Sequence, residues 1–156
     1  MTLLFVLRIR GKPDRTPDEE KALELLRLHK TWHATLVQDT PSIRGMLEKS
    51  LNSVVTYGEI RHEVLAQLLR KYGRLEGNKR LTEEYLKSIG YDSFETLASA
   101  LIEGKVKLEE IPGLKPVFRL HPPSGGFRGT IKKNFKARGV TGYMGEEINN
   151  LLLKIL

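Results

Sequence analysis

At 156 residues the chain can bury a core without covalent staples, as one domain or as a domain with a small annex. It has no cysteine, which excludes disulfides and thiolate metal sites and suits a reducing compartment. With 26 Lys and Arg against 19 Asp and Glu, a net charge of +7, the composition favours a polyanionic partner.

The opening Thr2-Leu3-Leu4-Phe5-Val6-Leu7 is apolar but far too short to span a bilayer. It also lacks the preceding basic region and small-residue cleavage site of a signal peptide, so a soluble cytoplasmic protein is expected. Residues 3–9 read as a first strand, ending in Arg8-Ile9-Arg10, and 11–15 as a basic turn. Thr16-Pro17-Asp18-Glu19 is a capping box with proline at the first helical position. It opens a helix to about Leu28 whose Ala22, Leu23 and Leu26 face inward, with Arg27 and Lys30 complementing the carboxyl end of its dipole. Residues 32–38 read as a second strand.

Thr40 then caps, and Pro41 starts, a helix to about Leu51 on which Ile43, Met46, Leu47 and Leu51 recur at helical spacing. Gly45 falls on the opposite face. A mid-helix glycine costs about 1 kcal/mol relative to alanine, and core packing does not explain one that points outward. The spacing therefore predicts close approach of another backbone at Gly45, with Arg44 beside it to hold a phosphate. A surface glycine tolerated by chance is the competing reading.

Residues 54–57 are a short third strand, which completes a βαβαβ unit over 1–58. A mainly helical section over 59–156 follows. Ile60, Val64, Leu65, Leu68, Leu69 and Tyr72 form the stripe of a helix stopped by Gly73, and 74–80 read as a polar, basic linker or loop. Thr82-Glu83-Glu84 begins a short helix ended by Gly90. Asp92 or Ser93 caps another, which carries Phe94, Leu97, Ala98, Leu101 and Ile102. Residues 116–120 read as a strand returning to the first sheet, and Glu146-Glu147 open a last helix with Ile148, Leu151, Leu152 and Ile155 inward.

The charge is localised. Residues 111–145 contain no acid but hold Lys115, Arg119, Arg128, Lys132, Lys133, Lys136 and Arg138, leaving 19 basic and 19 acidic residues elsewhere. Seven of the 14 glycines also lie there, so 121–145 are expected to form a basic, glycine-rich loop that lies along RNA. Phe127 and Phe135 can stack on bases while Arg128, Lys132 and Lys133 meet phosphates. Gly125-Gly126-Phe127-Arg128-Gly129 lacks the Lys-Ser/Thr end of a P-loop and is not a dinucleotide fingerprint. His29, His33, His62 and His121 have no ligand spacing, and the paired glutamates fall in first helical turns, where dipole complementarity explains them. No metal, cofactor or catalytic residue is expected.

The lead-in Thr35-Leu36-Val37-Gln38 and the block Asp39-Thr40-Pro41-Ser42-Ile43-Arg44-Gly45-Met46-Leu47 resemble the signature of the large-subunit ribosomal protein L thirty family, called L seven in eukaryotes. Arg8-Ile9-Arg10-Gly11, His121-Pro122-Pro123-Ser124-Gly125-Gly126-Phe127, Gly142-Tyr143 and Glu147-Ile148-Asn149 extend the resemblance over most of the chain. The added carboxyl-terminal section, without a long basic amino-terminal arm, resembles the archaeal form. The resemblance implies an α+β fold. Its core is a small three-stranded ferredoxin-like sheet with two helices on one face, followed by the extra section. It further implies a structural component of the large ribosomal subunit that binds large-subunit rRNA of the 23S type, without catalysis. 5S rRNA and neighbouring large-subunit proteins are further candidate partners.

The candidate RNA contacts are Arg8, Arg10, Lys12 and Arg15 around the first turn, and Arg44 and Gly45 on the central helix. Gly125, Gly126, Phe127, Arg128, Lys132, Lys133, Lys136 and Arg138 belong to the basic tract. Two alternatives stand beside the ribosomal reading: a free-standing regulatory RNA-binding protein, and a small enzyme using 125–129 on a phosphate-bearing substrate.

Overall fold

The computed structural model describes residues 3–11, 15–51, 54–121, 130–134 and 139–156, with the backbone alone at 130–134 and 139–140. Its first strand, β1 (Leu3–Arg8), is buried throughout. An unbroken apolar run is what a strand covered on both faces requires, whereas a half-solvated strand would alternate. β1 pairs antiparallel with β2 (His33–Gln38) on one side and with β3 (Val55–Glu59) on the other.

Two helices cover one face. In α1 (Pro17–Leu25) the expected capping box is formed: Glu19 N–H donates to Thr16 Oγ1 at 3.2 Å, and Thr16 N–H to Glu19 Oε1 at 3.3 Å. The helix stops at Leu25, earlier than the periodicity predicts, because Arg27 turns left-handed at φ 61°. Arg27 N–H bonds Glu24 O and Leu28 N–H bonds Leu23 O, which closes the end as a Schellman motif with Leu23 and Leu28 in contact with the core. With α2 (Pro41–Lys49), α1 packs Ala22, Leu23, Leu47 and Leu51 on Leu4, Val6 and Tyr57.

Residue 58 marks where the chain crosses to the other face of the same sheet. There α3 (His62–Tyr72), α4 (Glu83–Ser88), α5 (Phe94–Ile102) and α6 (Ile148–Ile155) gather over Leu3, Phe5 and Leu7, so β1 supplies alternate residues to two cores. Three more strands extend the sheet. The expected return strand is β4 (Phe118–Arg119), paired antiparallel with the start of β2. β5 (Thr130–Asn134) and β6 (Gly139–Tyr143) lie in the stretch expected to be loop, and β6 pairs with β3. The full order is β4-β2-β1-β3-β6-β5. Glycine and lysine hide these two strands from any periodicity argument, because they form by borrowing the free edge of β3.

The residues 74–80 are likewise no linker. Arg74 bridges Arg80 in antiparallel fashion, Leu75 bridges Leu114, and the turn passes through Gly77 at φ 80° and Asn78 at φ 62°.

The seam between the carboxyl-terminal helix and the sheet is polar, with a hydrogen-bonded amide at its centre. Asn149, 0% exposed, accepts from Arg61 N–H at 2.8 Å and donates to Glu59 O and Glu146 O, each at 2.9 Å. Beside it Gly58 leaves no room for a side chain: an added Cβ would collide with the Gly145 carbonyl and lie 3.0 Å from Ile148 Cβ. Removing the amide strands three backbone groups, so Asn149→Ala is expected to cost about 2–4 kcal/mol. Gly58→Ala is expected to cost about 1–3 kcal/mol through overpacking. Urea denaturation of both variants, with loss of stability at unchanged slope, checks these values.

Candidate nucleic-acid interface

The local sequence of α2 explains its place. Thr40 Oγ1 accepts from Ile43 N–H at 3.2 Å, Pro41 occupies a position with no helical donor to lose, and Leu47 is driven into the core. Gly45 turns away, and a Cβ built on it meets nothing within 4 Å. Among the described residues no backbone outside its own helix approaches it, so packing between them does not account for the glycine.

Arg44 is differently engaged from the expectation. Its Nε donates to Asp39 Oδ1 at 3.1 Å and a terminal nitrogen to Asp39 Oδ2 at 2.6 Å, a two-point pair. The same terminal nitrogen is 4.0 Å from Glu59 Oε1. The guanidinium carbon stands 4.8 Å from the ring centre of Tyr143 and 5.8 Å from that of Tyr57, within cation–π range. The hydrogen bonds that Arg44 donates to Asp39 raise its pKa further above the ordinary value, against an opposing cost of desolvation. Tyr143 donates to Glu59 Oε1 at 2.6 Å, and that bond raises its own pKa above the usual phenol value. Tyr57, whose ring lies 5.6 Å from that of Tyr143, is raised by burial.

The carboxylate of Asp39 thus supplies the planar pair of acceptors that a phosphate was expected to supply. What Arg44 does in the structure is join α2 to β3 and β6. Sequence reasoning missed this node because Glu59 and Tyr143 are distant in the chain and neither carries a local signal.

The consequence is spatial. Because β6 lies between β3 and β5, the strand holding Lys132 and Lys133 is next to the one that Arg44 touches. Residues about 90 positions apart are thereby brought to one side of the sheet. Only the backbone of Lys132 and Lys133 is described. Lys12, Gly125, Gly126, Phe127, Arg128, Lys136 and Arg138 lie outside the described residues.

The first-turn candidates are at the far end of β1, away from the start of α2. Arg8 is a correction: it is 3% exposed, donating from Nε to Arg10 O at 2.7 Å and from a terminal nitrogen to Leu28 O at 2.6 Å. Its two backbone acceptors explain an arginine at the end of a buried strand, and burial lowers its pKa. Arg15 pairs with Glu19 at 2.8 Å, and Arg10 is half-buried. His121, from which the glycine-rich tract continues, has its ring centre 6.0 Å from that of Tyr72, and Leu120 N–H bonds Trp32 O. The tract thus starts at the Arg10 end of the sheet and returns as β5 along the opposite edge. Among the described residues no group of three or more acidic, histidine or cysteine side chains could hold a metal, and no helix is long and apolar enough to cross a membrane.

Comparison with known proteins gives concordant matches. The family described as ribosomal protein L30p/L7e matches residues 4–50, which span β1 to the end of α2. The chain is 67% identical to large ribosomal subunit protein uL30 of Thermofilum pendens over the full length of both. It is 50% identical to that of Archaeoglobus fulgidus over 98% of this chain and 99% of the relative, and 47% identical to that of Nanoarchaeum equitans over the full length of both.

The open space at Gly45 sets an expectation for the isolated protein. Gly45→Ala should raise its stability by up to about 1 kcal/mol, through helix propensity alone. Arg44→Ala should lower it by about 1–3 kcal/mol, since Asp39 and the Tyr143 ring lose their common partner. Thermal unfolding of both variants gives opposite shifts if the geometry is as described.

Proposed function

Because this chain belongs to the ribosomal protein L30p/L7e family, we propose that it is a structural constituent of the large ribosomal subunit that binds large-subunit rRNA and has no catalytic role. The observation that carries the reading is the full-length 67% identity to a large-subunit protein, in a chain whose entire net charge arises from one acid-free window. Neighbouring large-subunit proteins and 5S rRNA are the further partners proposed.

Two contacts divide the work. The basic tract 115–138 supplies sequence-tolerant attraction to phosphates, by releasing counterions from the RNA. The outer face of α2 supplies a shaped contact, where the bare backbone at Gly45 admits an RNA strand close to the helix. Arg44 holds this face against β6 and presents what remains of its positive edge. Arg10, Lys12 and Arg15 are retained as proposed contacts, and Arg8 is left out because its donors are used inside the fold.

Sedimentation tests the ribosomal reading directly. The protein should travel almost entirely with large subunits after a high-salt wash, whereas a free regulatory RNA-binding protein would be stripped into the soluble fraction. With about five phosphate contacts from the tract, the log–log salt slope of rRNA binding should be about −3 to −5. A flat response from low to physiological salt contradicts the electrostatic part. For the shaped part, Gly45→Leu and Gly45→Glu should weaken rRNA binding although the isolated protein folds. Parent-like binding by Gly45→Leu would remove the α2 face from the interface.

A further inference from the structure

The segment 74–80 has the composition of a loop and the hydrogen bonding of a built element. Leu75 N–H donates to Lys79 O at 2.6 Å, and Asn78 N–H to Leu75 O at 3.0 Å, closing the turn. Leu81 N–H bonds Gly73 O at 3.1 Å below it. A third chain segment lies alongside, with Glu76 N–H bonded to Gly113 O at 3.0 Å and Lys115 N–H to Arg74 O at 2.9 Å. Buried Leu81 and Leu114 root the ribbon in the core.

This small ribbon carries Arg74, Lys79, Arg80 and Lys115 against one acid, Glu76. Arg74 and Arg80 are directly opposed across the antiparallel bridge, an arrangement that destabilises a ribbon when the charges are alike. Complementing the carboxyl end of α3 explains Arg74, which donates to Lys71 O at 3.1 Å and Gly73 O at 3.0 Å. It does not explain Lys79, Arg80 or Lys115. None of those three forms an ion pair among the described residues, and Lys79 and Arg80 are exposed. The ribbon also adjoins the root of the glycine-rich tract, since Tyr72, whose ring meets His121, immediately precedes Gly73 and Arg74.

We propose that the 74–80 ribbon, together with Lys115 at the start of the basic tract, is a third, preformed contact for the RNA phosphate backbone, beside the glycine-rich stretch from 121 onward and the α2 face. The inference rests on the RNA-binding function proposed above and adds a site to it. A ribbon held by its own hydrogen bonds has little conformational freedom left to lose on binding. A polyanion would also offset the like charges of Arg74 and Arg80, whose backbones face each other across the bridge.

The test uses the full chain and in vitro transcribed large-subunit rRNA as probe. The triple variant Lys79→Gln, Arg80→Gln, Lys115→Gln should reduce the magnitude of the salt slope by about 2–3. It should weaken binding at physiological salt at least about tenfold, as loss of three phosphate contacts implies. The single variant Arg80→Glu should raise Tm, by placing opposite charges across the bridge, while weakening RNA binding. Gains in stability accompanied by losses in affinity are the signature that a merely structural role would not produce. If the triple variant keeps the parent slope and affinity while Lys132→Gln, Lys133→Gln loses both, the ribbon is not an RNA contact, although the RNA-binding function stands. If the parent itself shows no salt-dependent rRNA binding, the proposed function fails and the ribbon site with it. Parent-like rRNA binding with failed incorporation into subunits would assign the ribbon to an acidic protein surface and overturn the proposal. Lower Tm in Arg80→Glu would show that the opposed arginines are not a strain, and would overturn it as well.

Discussion

β1 has no polar side. Leu3 to Leu7 are each 4% exposed or less, so water has to be kept from both faces of one strand. Each of these side chains contributes about 1.5–3 kcal/mol when buried, and a sheet covered on one face only forgoes the share of every second one. The βαβαβ unit supplies α1 and α2 for Leu4 and Val6 but nothing for Leu3, Phe5 and Leu7. The section after residue 58 therefore builds the second core, on the other face of β1, and its helices take their positions from that strand.

The same constraint sets how the face proposed to meet nucleic acid is assembled. Once α6 is docked by Asn149 against the β3–α3 junction, the strand that precedes it is held beside β3. β6 then brings Tyr143 to Tyr57, and Arg44 closes the group from α2 with Asp39 and Glu59. An arginine placed beside an outward glycine reads as a phosphate ligand. In the folded chain it is first a joint between α2 and the β3–β6 pair, and the glycine next to it is the part left open.

Charge is distributed with a similar economy. The acidic residues 59 and 39 are spent on the Arg44 node, and the glutamates of first helical turns on caps and dipoles. Residues 111–145 contain no acid and the 74–80 ribbon only Glu76, so neither segment offsets its own positive charge. Opposed arginines on a rigid ribbon are costly in isolation. Their cost is accounted for by the polyanionic partner proposed for this chain.

The sequence alone determined whatever depends on near neighbours. Thr16 and Thr40 as caps, Pro17 and Pro41 as helix starts, the outward Gly45, the α5 stripe from Phe94 to Ile102 and the return strand at 118–119 were all legible. These rest on one or two turns of chain, or on a periodicity that local sterics enforce. The charge window and the family block were legible too, because composition and motif do not need a fold. Tertiary structure decided the rest. β6 pairs with the edge that β3 offers and β5 pairs with β6, although the glycines, lysines and asparagine among their residues disfavour strands. Arg8 is internal because β1 is covered twice, so its donors had to find Arg10 O and Leu28 O. Arg44 meets Glu59 and Tyr143, and Arg74 meets Arg80, through pairings set by packing and turn geometry rather than by helical spacing. Local rules name the elements; which side chains share a site is settled only when the two faces of β1 are closed.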